Sequence, residues 1–238
     1  MEMHNKTMKK VAVLTGAGIS AESGISTFRD AGGLWEGHDI MEVASPQGWE
    51  KDMDLVLEFY NLRRRQLHTV SPNLGHLSLV TLEQSFDVSI ITQNVDDLHE
   101  RAGSSQIIHL HGELLKARSV KNERQNFKHH TDIKRGDLAS DGGQLRPHIV
   151  WFGESVPMIE QAAAIVSQSD IIIIVGTSMR VYPAAGLVGL APANASVYYI
   201  DPKPSISYEL KQRHNLKVIE STTTEGLPEL VQHLMIEA

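Results

Sequence analysis

Four short runs of apolar, largely β-branched residues punctuate the chain: KKVAVLT at 9–15, DVSIITQ at 87–93, SDIIIIVGTS at 169–178 and ASVYYID at 195–201. Their apolar positions are continuous rather than alternating, which predicts strands buried on both faces of a parallel sheet covered by helices. Stretches of helical spacing lie between and after them, at 74–86, 158–168, 183–191 and 227–236. This alternation predicts a doubly wound α/β fold. Two stretches do not fit it: 36–72 is helical but attached to no strand, and 116–147 is polar. Both are expected to form a smaller inserted domain, which leaves the larger one discontinuous over 1–35, 73–115 and 148–238.

Composition narrows the function. The 238 residues are 41% apolar and 21% charged, ordinary for a globular chain with a sizeable core, and poor for disorder or a coiled coil. The longest apolar run, IIIIVG after Asp170, falls far short of the roughly 20 residues of a membrane span. The polar stretch MEMHNKTMKK lacks the apolar centre of a signal peptide, so a soluble, cytoplasmic protein is expected. Without cysteine there are no disulfides, thiolate nucleophiles or cysteine-zinc sites. A net charge of -7 argues against nonspecific nucleic-acid binding and suits a basic peptide partner.

The glycine pattern adds a candidate ligand. VAVLTGAGISAESG places Gly16, Gly18 and Ala21 after the first strand in the G-x-G-x-x-[GA] spacing of a Rossmann-like dinucleotide loop, where backbone amides approach a pyrophosphate. A tight strand-to-helix turn explains that spacing equally well. The following ISTFRDAGGLWEG suits a cover over a cofactor better than an ordinary crossover, because no second strand delivers an acidic residue about 20 positions on. In EFYNLRRRQL (58–67), Asp54, Glu58, Asn61 and Arg65 share one polar helix stripe and are expected to face solvent. Tyr60 and Arg63 share another stripe with Val56 and Leu67, and an arginine turned toward apolar surroundings needs an anion. Arg64 gets no reading from spacing.

TGAGISAESGISTFRDAGGLW, TQNVDDLHERAG, HLHGE, RPHIVWFGE and GTSMRVYPA, in this order, resemble the sirtuin family of NAD-dependent protein lysine deacylases, from about Lys10 onward. The resemblance implies NAD contacts at Gly16, Ala17, Gly18, Glu22, Thr27, Phe28, Arg29, Trp35, Gln93, Asn94, Asp96, Gly176, Thr177, Ser178, Asp201 and Thr223. Gln93 would meet ribose, and Asn94 and Asp96 the nicotinamide carboxamide. Ser26 replaces the family's usual proline, and Tyr199 stands where many relatives carry an adenosine-ribose asparagine, with Asp201 a substitute. His111 matches the family's catalytic base: the acyl oxygen attacks C1' of the nicotinamide ribose, nicotinamide leaves, and His111 deprotonates a ribose hydroxyl that attacks the alkylimidate. Free lysine and O-acyl-ADP-ribose result. His109 is expected to face the other way along an extended segment.

The segment 149–154 reads as a strand with Val150, Trp151 and Phe152 in the core. By resemblance it also binds the peptide by strand addition, through Val150, Phe152, Gly153 and Glu154. A Tyr-x-x-Arg pair, here Tyr60 and Arg63, marks the class III subgroup that removes succinyl, malonyl or glutaryl groups, whose bacterial members also deacetylate. Most of the family hold zinc with two C-x-x-C pairs. Ser119, Asn122, Leu138 and Asp141 stand at that spacing, so no metal is expected, and His129, His130 and Asp132 form no second ligand set. Two readings of other classes compete: a sensor that binds NAD or ADP-ribose without turnover, and a protein ADP-ribosyltransferase. The partners expected are acyl-lysine proteins or peptides, with the oligomeric state left open.

Overall fold

The structure is a computed structural model describing residues 8–27, 34–35 and 37–238, with positions 34 and 35 described for the backbone only. Strand β1 (Lys10–Thr15) runs into a one-turn helix α1 (Gly18–Ala21). The antiparallel pair β2 (Leu34–Trp35) and β3 (His38–Asp39) precedes helices α2 (Ile40–Val43), α3 (Pro46–Lys51) and α4 (Met53–Leu67). Next come α5 (Leu74–Leu82), β4 (Asp87–Thr92), α6 (Leu98–Ala102) and β5 (Ile107–His109). Strands β6 (Gly112–Ser119), β7 (Asn122–Lys128) and β8 (Leu145–Ile149) follow, then α7 (Ile159–Val166) and β9 (Ile171–Val175). A 3-10 helix (Ala184–Leu190), β10 (Ser196–Ile200), α8 (Tyr208–Lys211), β11 (Leu216–Ile219) and α9 (Thr223–Ile236) complete the described elements.

Among the described residues, six parallel strands form one sheet in the order β11-β10-β9-β1-β4-β5. Its strands are apolar on both faces because both faces are covered. Val11 and Val13 of β1 join Leu79 and Leu82 of α5 and Leu227, Leu230 and Leu234 of α9. The alternate residues Ala12 and Leu14 join Ala162 and Val166 of α7 and Leu187 and Val188 of the 3-10 helix. Each large aliphatic side chain so buried contributes roughly 1.5–3 kcal/mol relative to exposure. The stretch 183–191 expected as an α-helix is wound as 3-10, and β5 and β11, which the apolar pattern did not predict, extend the sheet at its edges. β5 has only three residues, and β11 alternates Leu216, Lys217, Val218 and Ile219 with none fully buried.

The second sheet is antiparallel, β7-β6-β8, spanning 112–149 and so wider than the polar 116–147 stretch. Helix α4 closes it. Leu57 packs with Ala117, Ile133 and Leu145, while Val56, Phe59, Tyr60 and Leu67 pack with Leu114, Ile149 and Trp151. The expected polar stripe of α4 faces the turn 132–135: Arg65 pairs with Glu58 and Asp132, both at 2.6 Å, and Arg135 pairs with Asp54 at 3.0 Å. Asn61 departs from that stripe. It is buried, and its carboxamide meets both backbone groups of Ile133 at 2.9 Å.

Two of the four positions at zinc-ligand spacing meet directly. Ser119 Oγ donates to Asp141 Oδ1 at 2.8 Å, and the same oxygen accepts from the Gly143 amide at 2.8 Å. Ser119 Oγ in turn accepts from the Lys121 amide at 3.1 Å. Leu138 is exposed. Asp132 is taken up by Arg65, and His129 Nε2 lies 3.3 Å from the Asp132 carbonyl, so the 129–132 groups are not gathered as ligands.

Candidate active site

Chain direction across the sheet reverses at β1: β4 and β5 lie to one side, β9, β10 and β11 to the other. The crevice outside the carboxyl ends of β1 and β9 is therefore the switch point where open α/β sheets bind ligands. Two glycine-bearing loops close on each other there. The Gly18 amide donates to the Gly176 carbonyl at 2.7 Å and the Gly16 amide to the Val175 carbonyl at 3.3 Å. A Cβ on Gly18 would stand 2.6 Å from Gly176 Cα, and Gly176, at φ +62°, would push one to 2.2 Å from the Ile19 nitrogen. The Gly16 and Gly18 amides, expected at a pyrophosphate, are both engaged here in loop-to-loop contact.

The segment after β4 carries most of the polar groups. Gln93 donates from its carboxamide to Thr177 Oγ1 at 3.0 Å, bridging the two sides of the crevice. Asn94 Nδ2 donates to Ser20 Oγ at 3.1 Å, and Ser20 donates to Asp96 Oδ2 at 3.0 Å. His76 Nδ1 lies 3.3 Å from the Asn73 amide nitrogen and 3.1 Å from Asn73 Oδ1, and its Nε2 lies 3.5 Å from Ser20 Oγ. All four side chains of this network are buried. Burial raises the Asp96 carboxyl pKa, against the Leu98 amide and the Ser20 hydroxyl, which lower it. Asp96, not Asp97, caps α6 through Leu98. Ser20 and His76 escaped the sequence reading. The available signal was a histidine on an otherwise apolar helix, three residues after the N-cap Asn73.

His111 Nδ1 lies 3.1 Å from the Gln93 carbonyl, an acceptor, so the neutral ring carries its hydrogen there and keeps Nε2 as a base. Burial holds its pKa below the usual histidine value, with the Gln93 bond opposing. His109 does not face the opposite way: its Nδ1 lies 3.0 Å from the next carbonyl, that of Asn94. Strand β5 ends at His109 and the chain bends at 110–111, so strict alternation fails. Gly112, at φ +82°, continues that bend, and a Cβ there would meet the His148 carbonyl at 2.0 Å.

Several expected contacts are otherwise engaged. Glu22 accepts from the Thr224 amide at 3.0 Å and from its hydroxyl, capping α9. Thr223 is buried between α1 and α5, its hydroxyl 3.5 Å from the Gly18 carbonyl. Tyr199 donates to the Thr177 carbonyl at 2.9 Å and accepts from the Ser205 amide, while Asp201 accepts from the Lys203 amide at 2.8 Å. Ala17, Thr27 and Ser178 are partly exposed at the crevice loops. Phe28, Arg29 and the Trp35 side chain lie outside the described residues.

On the other wall, β8 stops at Ile149, so 150–154 is a turn, with Gly153 at φ +92°. Of the three expected core residues only Trp151 is buried; Phe152 is exposed and Val150 intermediate. The Val150 amide donates to the His111 carbonyl and the Phe152 amide to Ala44, both at 2.9 Å. The Glu154 carboxylate is occupied by Arg146 at 2.7 Å, Arg118 at 3.1 Å and the Trp151 amide at 2.8 Å, so it shapes the turn. Trp151 Nε1 donates to the Tyr60 hydroxyl at 3.1 Å, and the Arg146 guanidinium stacks 3.2 Å above the indole. Arg63 is half-buried, its guanidinium 3.3 Å above the Phe59 ring. The fully buried arginine is its neighbour Arg64, which donates to the Leu114 carbonyl at 3.1 Å and to Asn61 Oδ1 at 2.8 Å.

Residues 16–183 match the Sir2 family. An NAD-dependent protein deacylase of Helicobacter pylori is 55% identical over 228 residues, covering 96% of each chain. One from Bacteroides thetaiotaomicron is 53% identical over 237 residues, covering 96% of this chain and 99% of its own. Among solved structures, a mutant Sir2 homologue in complex with ADP-ribose superposes with a TM-score of 0.87 at 35% identity, covering 97% of this chain and 94% of that one. A Sir2 bound to acetylated peptide gives 0.77 at 25% identity, with the same coverage of each. With a family match over most of its length and relatives above half identity across nearly all of it, the chain belongs to the Sir2 family.

Proposed function

We infer that the protein is an NAD-dependent protein lysine deacylase that releases nicotinamide, O-acyl-ADP-ribose and free lysine, and that it removes succinyl and malonyl groups as well as acetyl. The observation that carries the reaction type is the state of His111. Its Nδ1 is committed to the Gln93 carbonyl, its Nε2 is a base, and its lowered pKa keeps it neutral at working pH. A binding module has no use for such a group. NAD supplies the ribose carbon that the acyl oxygen attacks and the hydroxyl from which Nε2 takes a proton.

The residues fit this dinucleotide. The crevice lies at the switch point, its two glycine loops leave no room for side chains between them, and Gln93 and Thr177 present hydrogen-bonding groups where sugar is expected. Asn94 and Asp96 are preorganised by Ser20. Each Asp96 oxygen already accepts one bond and retains a second lone pair for a carboxamide N–H. We propose that the larger parallel-sheet body and the smaller unit of 36–72 and 116–147 meet along 150–154, where Val150 and Phe152 receive the acyl-lysine. We also propose a cytoplasmic location for the protein.

The acidic-acyl scope rests on Tyr60. Indole N–H only donates, so the Tyr60 oxygen is the acceptor from Trp151 and its own hydrogen is directed at a different group. Burial pushes the phenol pKa up, so it stays a donor, while the Arg146 and Arg63 charges nearby oppose that rise. A phenol donor beside a guanidinium suits an acyl carboxylate. The test is nicotinamide release from NAD with and without acyl-peptide, on acetyl-, malonyl-, succinyl- and glutaryl-lysine versions of one peptide. Release that needs the peptide and is abolished in His111→Ala with NAD binding retained is expected. No release with any acyl chain would leave a sensor, and labelled protein in place of O-acyl-ADP-ribose would leave an ADP-ribosyltransferase.

A further inference from the structure

We propose that His109, the first histidine of HLHGE, is a positioning residue that works as an imidazolium, clamping the Asn94 backbone to Glu100 and so holding the nicotinamide-side loop 93–96. The assignment of that loop to nicotinamide rests on the function proposed above; the charge state of His109 does not.

The geometry fixes the charge. His109 Nδ1 lies 3.0 Å from the Asn94 carbonyl oxygen and Nε2 lies 2.7 Å from Glu100 Oε1. A carbonyl and a carboxylate only accept, so both ring nitrogens must carry hydrogen for both contacts to hold. A neutral ring satisfies one of the two. His111 faces no such demand, having only the Gln93 carbonyl at its Nδ1. Two histidines two residues apart are thus driven to opposite states, one to keep a proton and one to accept it.

The surroundings agree. Glu100 on α6 and Glu113 on β6 face His109 and raise its pKa together with the Asn94 bond, and together they outweigh its burial. Glu113 is shared with Lys116 at 2.6 Å, and Lys116 and His109 both lower the Glu100 carboxyl pKa. The His109 charge opposes the burial that raises the Asp96 carboxyl pKa on the loop, and it adds to the burial that lowers the pKa of His99 on α6. Although Glu100, His109 and Glu113 lie close enough to bind a metal ion, their partners are already matched as His109 with Glu100 and Glu113 with Lys116.

The consequence falls on the loop. Three successive carbonyls are held by three donors from 109–114: Gln93 by His111, Asn94 by His109 and Val95 by the Leu114 amide at 2.8 Å. Losing the His109 proton forces a choice between Asn94 and Glu100. The middle anchor of the loop is then weakened, while the Asn94 carboxamide must still reach Ser20.

The decisive experiment pairs the pH dependence of kcat/KM for NAD, at saturating acyl-peptide, with nitrogen NMR of the His109 ring, in the unmodified protein, Glu100→Gln and His109→Asn. Both His109 nitrogens are expected to be protonated near neutral pH. Glu100→Gln should move the basic limb of the profile down by about one pH unit, leave the acid limb in place and raise KM for NAD more than it lowers kcat. His109→Asn, which can still donate to the Asn94 carbonyl, should flatten the basic limb. A singly protonated His109 at neutral pH overturns the proposal, as does a Glu100→Gln profile that is scaled without change of shape. Failure of acyl-dependent turnover defeats the functional reading instead and leaves the NMR result to decide the charge of His109.

Discussion

Three consecutive arginines on α4 occupy three different environments, and the difference predicts three outcomes. Arg64 is fully buried, its pKa lowered to about 10 chiefly by desolvation, and it holds the Leu114 carbonyl and Asn61. Arg64→Ala strands those buried acceptors and should cost about 2–3 kcal/mol in urea unfolding, with the ratio of desuccinylation to deacetylation unchanged. Arg63→Met should do the reverse, cutting kcat/KM for succinyl-lysine at least tenfold more than for acetyl-lysine with little change in unfolding midpoint; equal losses on both peptides would refute its role. Arg65, exposed and paired with Glu58 and Asp132, should move neither readout when replaced by alanine. Helical spacing found Tyr60, Val56 and Leu67 on the buried stripe, but it set Arg63 among them and gave Arg64 no reading, whereas Arg64 is the fully buried one and Arg63 half-buried. The 100° step between them matters less than which neighbour supplies a carbonyl, and Leu114, fifty residues away in sequence, is invisible to a local pattern.

At the scale of elements, the continuous apolar runs located the central strands β1, β4, β9 and β10 because burial on both faces leaves an unmistakable composition. The short edge strands β5 and β11, and β7 with every residue exposed, lack that signature. The hydrogen-bonded turn at Ser119 and Asp141 was legible only as an absence of cysteines. The Gly143 amide and the Ser119 hydroxyl hold the Asp141 carboxyl below its ordinary pKa. A lowered acid contributes stability above its unfolded value and loses it as pH falls through the folded one. Ser119→Ala should therefore raise hydrogen exchange at the Gly143 amide most near neutral pH and least in acid. A chelator should leave the unfolding midpoint of the unmodified protein where it was, and a chelator-induced drop would contradict a metal-free turn.

Across the described residues, four histidines are disfavoured as cations by burial. His76 and His148 are each lowered to about 4, and His99 and His111 are lowered as well, burial being the first cause in every case. The unfolded chain protonates them near 6.5 while the folded protein resists, so their contribution is present above about 6.5 and is lost as pH falls through the folded values, about 4 for His76 and His148. His109 has the opposite sign: its raised pKa adds stability below about 6.5 that disappears as pH rises through the folded value. Stability from urea unfolding should thus fall on acidification with a slope of about 1.4 kcal/mol per pH unit for each histidine still held neutral. His76→Gln should reduce that slope by about one proton between pH values of about 6 and about 5, and an unchanged slope would mean that His76 takes its proton freely when folded.

Glu22, which follows the first glycine loop, caps the helix formed by 223–236, across 202 residues of sequence. Nothing local can stabilise that contact early. As the chain leaves the ribosome from its amino end, β1 must wait for β4 and then β9 to flank it, and its loop must wait longer still for α9. The crevice is consequently among the last parts of the fold to take shape. Helix α9 also brings Leu227, Leu230 and Leu234 to the core against β1, so one late segment completes both the core and the loop it caps, and cofactor capture reports completed synthesis rather than guiding it.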